Sequence, residues 1–470
     1  MCKIRKFLLA FLLGLGICLS PFSHLPGEST DCFAAIAEAD QLYAEGDRTT
    51  AEQLYRQCKQ PFPQQDLATY FPEPLTDSSQ LSPAAQVHWR GVQDGLERDQ
   101  ENLTFVSLDL LIQEAPDFAP AYGLLAEALQ RYDRQTEALE ALEQAATLFP
   151  YDPDIARART IALSNAGQPM EASMAARVFS MVNPAHPERE EFVAMADENL
   201  DTFKTNMRSQ YLATGVLGII GNVVLGSGST LSNALDSVQI ATMLVEGEDT
   251  TGTRLANATI EDAKANDTLV DDPVILEYVD TIGQDIAAQM GRDEFNYEFN
   301  VIDDNALNAF ALPGGKVFIN TGSILAANSE AELAGLIGHE VAHAVLSHGY
   351  QRIATNGLLS AADNALPLGN LAGLASLDFS RQNERQADIL GTRAIAGFGY
   401  AADGLRNFFV TLNNQSGSSQ PEYLSTHPAP ASRISYLEAL IQQNGYNRYS
   451  YEGVEEHNRI QQRIRELLES

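Results

Sequence analysis

Apolar residues in the first 200 positions recur at helical rather than alternating spacing, and a longer period is laid over them. Pro116, Pro150 and Pro184 stand 34 residues apart, as do Ala138 and Ala172. That period is the length of a tetratricopeptide unit, a helix pair with small residues at its crossing and a proline near its end. Tyr122 to Pro150 reads as one unit, with Leu125, Ala126, Ala138, Leu142 and Ala145 at the expected positions. Asp154 to Pro184 reads as a second, with Leu163, Gly167, Ala172 and Phe179. Ala85 to Pro116 is a degenerate unit, and an earlier one runs from about Ala34 to Pro63 with Gly46, Ala51 and Tyr55. The Pro- and Ser-rich residues 61–83 read as a loop inserted between the first two.

The pattern changes near Asp271. Pro273 opens a helix whose Ile275, Val279, Ile282 and Ile286 share one face. Tyr297, Phe299 and Val301 alternate with polar neighbours and predict a strand. Pro313-Gly314-Gly315 predicts a turn, and Val317-Phe318-Ile319-Asn320 a second strand. Ser329 and Glu332 form a capping box before a helix with Leu333, Leu336, Ile337, Val341 and Ala344 as apolar positions. The expected fold is mainly α with a small β-sheet. An N-terminal tetratricopeptide-like solenoid over 28–200 is followed by a helical and linker segment over 201–270. An α+β zincin-type domain over 271–445 and a C-terminal helix over 446–470 complete the chain.

Two further segments bear on location. Lys3, Arg5 and Lys6 precede the apolar run Phe7 to Leu19, which reads as a signal peptide over 1–27. The chain is therefore expected to be exported, periplasmic or otherwise extracytoplasmic. Ser209 to Leu235 carries no charge, and its apolar part contains Gly215, Gly218 and Gly221. A helix buried against the protein is the favoured reading there, with membrane association the alternative. Leu225-Gly226-Ser227-Gly228-Ser229-Thr230 lacks the lysine of a phosphate-binding loop and reads as linker. The net charge of −33, from 30 basic and 63 acidic residues, disfavours nucleic acid as a partner.

Chemistry concentrates in His339-Glu340-Val341-Ala342-His343. Residues four apart project from one face of a helix, so both imidazoles can take two corners of a zinc tetrahedron. Glu340, displaced around the helix, can hold a water. A third ligand is needed, and Glu384 on a later predicted helix can supply it. Asp388, one turn on, can accept an N–H from a ligand histidine, while Ala387 and Gly391 are small enough to let the helices approach. His348 points off the ligand face and reads as a surface residue or one supporting a ligand.

Asp271 to about Leu440 resembles the zinc metalloendopeptidase family that contains the CAAX prenyl protease and HtpX. Within it, the chain looks most like the soluble, exported branch typified by the β-barrel assembly-enhancing protease. Four blocks carry the resemblance: Asn308 to Gly315, His339 to His343, Ser380-Arg381 through Glu384 to Asp388, and Ser425-Thr426-His427-Pro428 with Arg433-Ile434. It implies one zinc per chain on His339, His343 and Glu384, with Glu340 activating water and Asp388 behind a ligand. It also places His427 in a loop that either assists catalysis or blocks the metal, and Arg433 as the support of that loop. One departure is plain: that branch carries its repeats after the catalytic domain, and here they come first.

The expected function is zinc-dependent hydrolysis of unfolded or misassembled envelope proteins, with the repeats recruiting partners. The alternatives are a repeat adaptor with a latent protease site and a membrane-anchored processing protease. Asn308 and the strand Val317 to Asn320 are assigned to substrate binding, the strand as an edge to which an extended substrate adds. Residues 349–377 and 413–423 are rich in Gly, Ser and Asn and could act as lids. Cys32 and Cys58 are expected to form a disulfide. In the repeat register they stand at similar heights on two antiparallel helices that turn near Gly46 and Asp47.

Overall fold

A computed structural model describes residues 28–63, 67–225, 245–354, 379–415, 423, 427 and 430–469. The expected signal peptide, the linker beyond Leu225 and most of both expected lids lie outside the described residues.

The first half is a series of helix pairs. They are α1 (Glu28–Glu45) with α2 (Arg48–Cys58), α3 (Pro83–Glu97) with α4 (Glu101–Glu114), α5 (Ala119–Arg131) with α6 (Gln135–Leu148), and α7 (Pro153–Asn165) with α8 (Pro169–Val182). Helices α4, α6 and α8 begin at Glu101, Gln135 and Pro169, one every 34 residues, so the register of the prolines is also the register of the fold. Ala51, Ala138, Ala172 and Leu142 are fully buried where the pairs cross. Asp47 caps α2 by accepting from the Thr50 amide, which fixes the tight turn out of α1. Cys32 and Cys58 are bridged, with their Cα atoms 5.5 Å apart. The long helix α9 (Arg189–Leu225) packs along α8 and runs into the uncharged segment. Among the described residues no helix is long and apolar enough to cross a membrane.

Helix α10 (Glu248–Ala265) falls in the stretch expected to be helical or linker, yet it belongs to the second body. Asp249 on it pairs at 3.0 Å with the ammonium of fully buried Lys316. Gly252 lies so close to the Pro313 carbonyl that a Cβ there would stand 1.7 Å from its oxygen. Helix α11 (Pro273–Ala287) starts at the Asp272 cap and buries Ile275, Val279, Ile282 and Ile286 as the periodicity predicts. Removing each of these side chains from water contributes roughly 1.5–3 kcal/mol.

The sheet comprises β1 (Glu298–Ile302), β2 (Ala309–Leu312) and β3 (Lys316–Asn320), in the order β1-β3-β2. β3 pairs parallel to β1, with Phe299 opposite Val317, and antiparallel to β2, with Phe310 opposite Phe318. This corrects the sequence expectation for Val317, Phe318, Ile319 and Asn320. Their strand is central, with partners on both sides, and cannot accept a further one. The edge beside the helix described next is β2.

Short α12 (Thr321–Ala326) leads to α13 (Glu330–Val345), every residue of which is buried. Ser329 caps it by accepting from the Glu332 amide, while Glu332 reaches back to the Asn328 amide, one residue beyond the usual capping box. Helix α14 (Arg381–Phe398) crosses α13 at glycines. A Cβ on Gly391 would stand 2.9 Å from the Gly338 backbone, so a side chain there would force the helices apart. Helices α15 (Gly404–Gln415), α16 (Pro430–Gln443) and α17 (Val454–Leu468) close the body, and α17 also touches α1.

Candidate metal centre

Helix α13 brings His339 and His343 to one face, and their Nε2 atoms lie 3.0 Å apart. Helix α14 places Glu384 across from them. Its Oε1 is 3.3 Å from His343 Nε2 and its Oε2 is 3.6 Å from His339 Nε2. His427 joins them, with Nδ1 2.9 Å from Glu384 Oε1 and 3.3 Å from His339 Nε2. One donor atom from each of the four lies within 4.8 Å of all the others, and all four residues are buried.

The donor set fits a cation. Each ligand histidine has its Nδ1 engaged on the outside and its Nε2 turned inward. His339 Nδ1 lies 2.9 Å from Asp388 Oδ1, so it carries the proton and leaves the Nε2 lone pair for the metal. His343 Nδ1 lies 2.9 Å from His348 Nδ1, and His348 Nε2 is 3.1 Å from Gln386 Oε1. With Gln386 accepting, His348 bears its proton on Nε2, its Nδ1 accepts from His343, and His343 Nε2 is free. Inward lone pairs at 3.0 Å repel unless a positive charge sits between them. The electrostatics agree. Burial would lower the pKa of His339, but Asp388 and Glu384 outweigh it and hold it at about 9, while burial keeps His343 well below its ordinary value, so the pair favours one positive charge shared between them. Burial likewise opposes charge on Glu384, yet His427 and Arg433 keep it well below the usual carboxylate range. The residues present thus offer two imidazoles and an ionised carboxylate, the set expected for zinc with one position open.

Glu340 is fully buried beside this group, with Oε1 3.7 Å from His427 Nε2. Burial raises its pKa, against the opposing pull of His427, His339 and Tyr423 beside it. The ring of Tyr423 stacks on His427, with centroids 4.3 Å apart. Arg433 lies behind the site. Its guanidinium reaches Glu384 Oε2 and Asp388 Oδ1, each at 2.6 Å, and stands 3.5 Å from the His427 carbonyl. Tyr436 donates to the other oxygen of Asp388. His348 is fully buried, which removes the surface reading and leaves the supporting one. Asn308 lies just before β2, with its carbonyl accepting from the Asn320 amide and the Ser323 hydroxyl.

Sequence reasoning missed Gln386, Tyr423 and Tyr436. Gln386 lay inside the block that carries Glu384, two residues on, but a glutamine has no ligand signature of its own. Tyr423 acts through burial and stacking and Tyr436 through a buried hydroxyl, neither of which any spacing announces.

Residues 276–441 match peptidase family M48. A protein of Vibrio cholerae named as a beta-barrel assembly-enhancing protease is 32% identical over 192 residues, 36% of this chain and 40% of its own. The Escherichia coli beta-barrel assembly-enhancing protease is 24% identical over 254 residues, 49% of this chain and 51% of its own. The Arabidopsis thaliana mitochondrial metalloendopeptidase OMA1 is 28% identical over 262 residues, 54% of this chain and 51% of its own. The chain thus spans 40–51% of the length of these relatives. With the His339, His343 and Glu384 donors at the centre of the matched region, this chain carries a domain of peptidase family M48, a family of zinc metallopeptidases.

Proposed function

We propose that the chain is an exported zinc endopeptidase that cleaves unfolded or misassembled proteins of the cell envelope. The observation that carries this reading is the buried carboxylate of Glu340 beside the inward-facing donors of His339, His343 and Glu384. Zinc held there supplies a Lewis acid that polarises a peptide carbonyl and acidifies water. Glu340 takes the proton of the attacking water and returns it to the leaving amine. Its raised pKa brings both protonation states closer to neutral pH. Asp388 holds the His339 ring and Arg433 holds Glu384, so the donors do not reorganise as charge develops.

His427 fills the space between Glu340 and Glu384 and closes the site at rest. His427 and Tyr423 must move aside before a substrate carbonyl can enter. An extended chain then adds to the free edge of β2, which runs along α13. Backbone pairing of that kind selects for unfolded segments over particular sequences. The repeats recruit clients to the same side. A cavity of about 580 Å³ separates α6–α8 from the start of α14, and it is lined by Gln386 and by Phe379, whose ring lies 3.9 Å from that of His343.

The test is cleavage of reduced, unfolded casein by the purified chain, with chelator and after zinc is restored, beside Glu340→Gln. A rate loss of at least about 100-fold with zinc retained is expected for the missing base. Turnover by Glu340→Gln at the wild-type rate would sink the assignment. Absence of turnover in the wild-type chain even after His427→Ala would leave the adaptor reading in its place.

A further inference from the structure

We infer that a second cavity, between α8, the start of α9 and the loop that follows α11, is a binding site for a phosphate-bearing ligand. The cavity has a volume of about 440 Å³, and Arg177, Arg189, Arg292 and Arg393 all line it. That is a concentration of positive charge in a chain with 30 basic residues against 63 acidic ones. The volume falls within the roughly 300–1,000 Å³ of small-molecule sites.

The arrangement of charge is lopsided. Asp197 and Glu294 line the cavity beside the four arginines, and the carboxylates are the more exposed partners. Arg177 is buried and Arg292 has a side chain only 10% exposed. Asp197, Glu294 and Glu190, which pair with Arg177, Arg292 and Arg189, are 68%, 63% and 80% exposed. Behind the wall, Glu248 lies 3.6 Å from Arg177 and 3.4 Å from Arg292, one carboxylate shared by two guanidinium groups. Arg393 donates to the Met181 carbonyl, and among the described residues no carboxylate pairs with it. Burial and the nearby charge of Arg292 push Arg177 down to about 10, as a cation in want of compensation behaves. Guanidinium forks match tetrahedral oxyanions, and the exposed carboxylates of Asp197, Glu294 and Glu190 can turn outward to admit one.

The site reaches the metal helix. Arg177 donates to the Ser347 hydroxyl at 3.0 Å and Arg292 to the Val345 carbonyl at 3.1 Å, so two of its four cations also hold the end of α13 and the turn after it, two and four residues beyond His343. A bound phosphate would draw on both and tighten that end.

The experiment uses the full, zinc-loaded chain and reads binding rather than turnover, so its outcome is independent of the proteolytic reading. Glycerol 3-phosphate is titrated calorimetrically at constant ionic strength, with glycerol and chloride as controls. In parallel, vesicles of phosphatidylglycerol and of phosphatidylcholine are tested by flotation. Saturable binding of glycerol 3-phosphate is expected, weakened at least about tenfold by Arg393→Gln and by Arg189→Gln, the scale of one charge-assisted hydrogen bond. Slower amide exchange at 345–347 should accompany it. Both variants should keep the wild-type unfolding midpoint in the absence of anion, which separates lost binding from lost fold. Binding confined to phosphatidylglycerol vesicles and lost in the same variants would identify a lipid headgroup as the source of the phosphate. Absence of saturable binding in both arms, or binding that both variants keep, would overturn the proposal.

Discussion

The Nδ1 atoms of His343 and His348 lie 2.9 Å apart, and the second histidine decides which nitrogen the first has free. Only one of the two can donate. Gln386, accepting from the far side of His348, settles the direction. Burial lowers His348 to about 4, which keeps it neutral and able to accept. His348→Phe keeps the bulk and removes the acceptor, so zinc affinity should fall about 10–100-fold. Competition with a chromogenic chelator measures it. Glu384→Ala, which deletes a donor outright, should lose more. An unchanged affinity in His348→Phe would make the contact incidental.

The metal helix and the helix carrying Glu384 were legible because their chemistry is local. Four-residue spacing puts His339 beside His343 and Glu384 beside Asp388, and Gly391 announces the close crossing. What remained hidden depended on distant partners. Whether Val317 to Asn320 is an edge depends on β1 taking its other side, and no pattern within the strand records that. Helix α10 docks through Asp249 on Lys316, the bare backbone of Gly252 and a short apolar patch of Leu255 and Ala256 on Leu312 and Phe318, set among polar residues, so its sequence looked like connection rather than body. Tyr423 was invisible for a similar reason, since a buried tyrosine and an ordinary loop tyrosine have the same sequence.

His427 should act as a lid residue. Its ring nitrogens reach Glu384 and Glu340 together, which no substrate carbonyl can share. His427→Ala is expected to raise the initial rate of casein cleavage several-fold. Tyr423→Ala should do so as well, because the stacked ring that seats His427 is gone. Peptide assays under identical zinc loading check both. A fall in rate in His427→Ala would instead assign the imidazole to the transition state.

Glu332 predicts a pH effect on stability. Burial raises its carboxyl from the usual value to about 7, although Asn328 and Thr411 hydrogen-bond it. The folded protein therefore binds a proton more tightly than the unfolded chain does. That contribution is fully present below about pH 4.5 and is lost as pH rises toward about 7. Glu332→Gln should flatten this part of the stability curve. Denaturant melts at several pH values on metal-free protein, which removes the pH dependence of metal binding, provide the comparison, and the difference between Glu332→Gln and the wild type cancels the titration of the other groups. Parallel curves for the two proteins would dismiss the effect.

The last prediction joins the repeats to the metal helix. Lys59 follows Cys58, so the disulfide to Cys32 fixes where its side chain starts. Its ammonium lies 2.6 Å from Asp403 and also meets Glu452, and all three side chains are at most 7% exposed. Glu452 in turn accepts from the Ser329 hydroxyl at 2.9 Å, and its carbonyl accepts from the Ala331 amide, both at the start of α13. Burial alone would push the Lys59 pKa down, but Asp403 and Glu452 outweigh it and keep the charge in place. Lys59→Met would leave two carboxylates in the interior with only Arg448 near Asp403, at 2.9 Å, to compensate. The expected cost is about 3–5 kcal/mol, the range for breaking a buried ion pair from one side. Cys32→Ala with Cys58→Ala should cost about 3 kcal/mol by releasing the unfolded chain, and more if Lys59 loses its seat. Combining the substitutions separates the two effects. If the disulfide positions Lys59, the combined loss falls short of the sum of the separate losses. Strict additivity in denaturant unfolding would show that the bridge and the ion network stabilise the first helix pair independently.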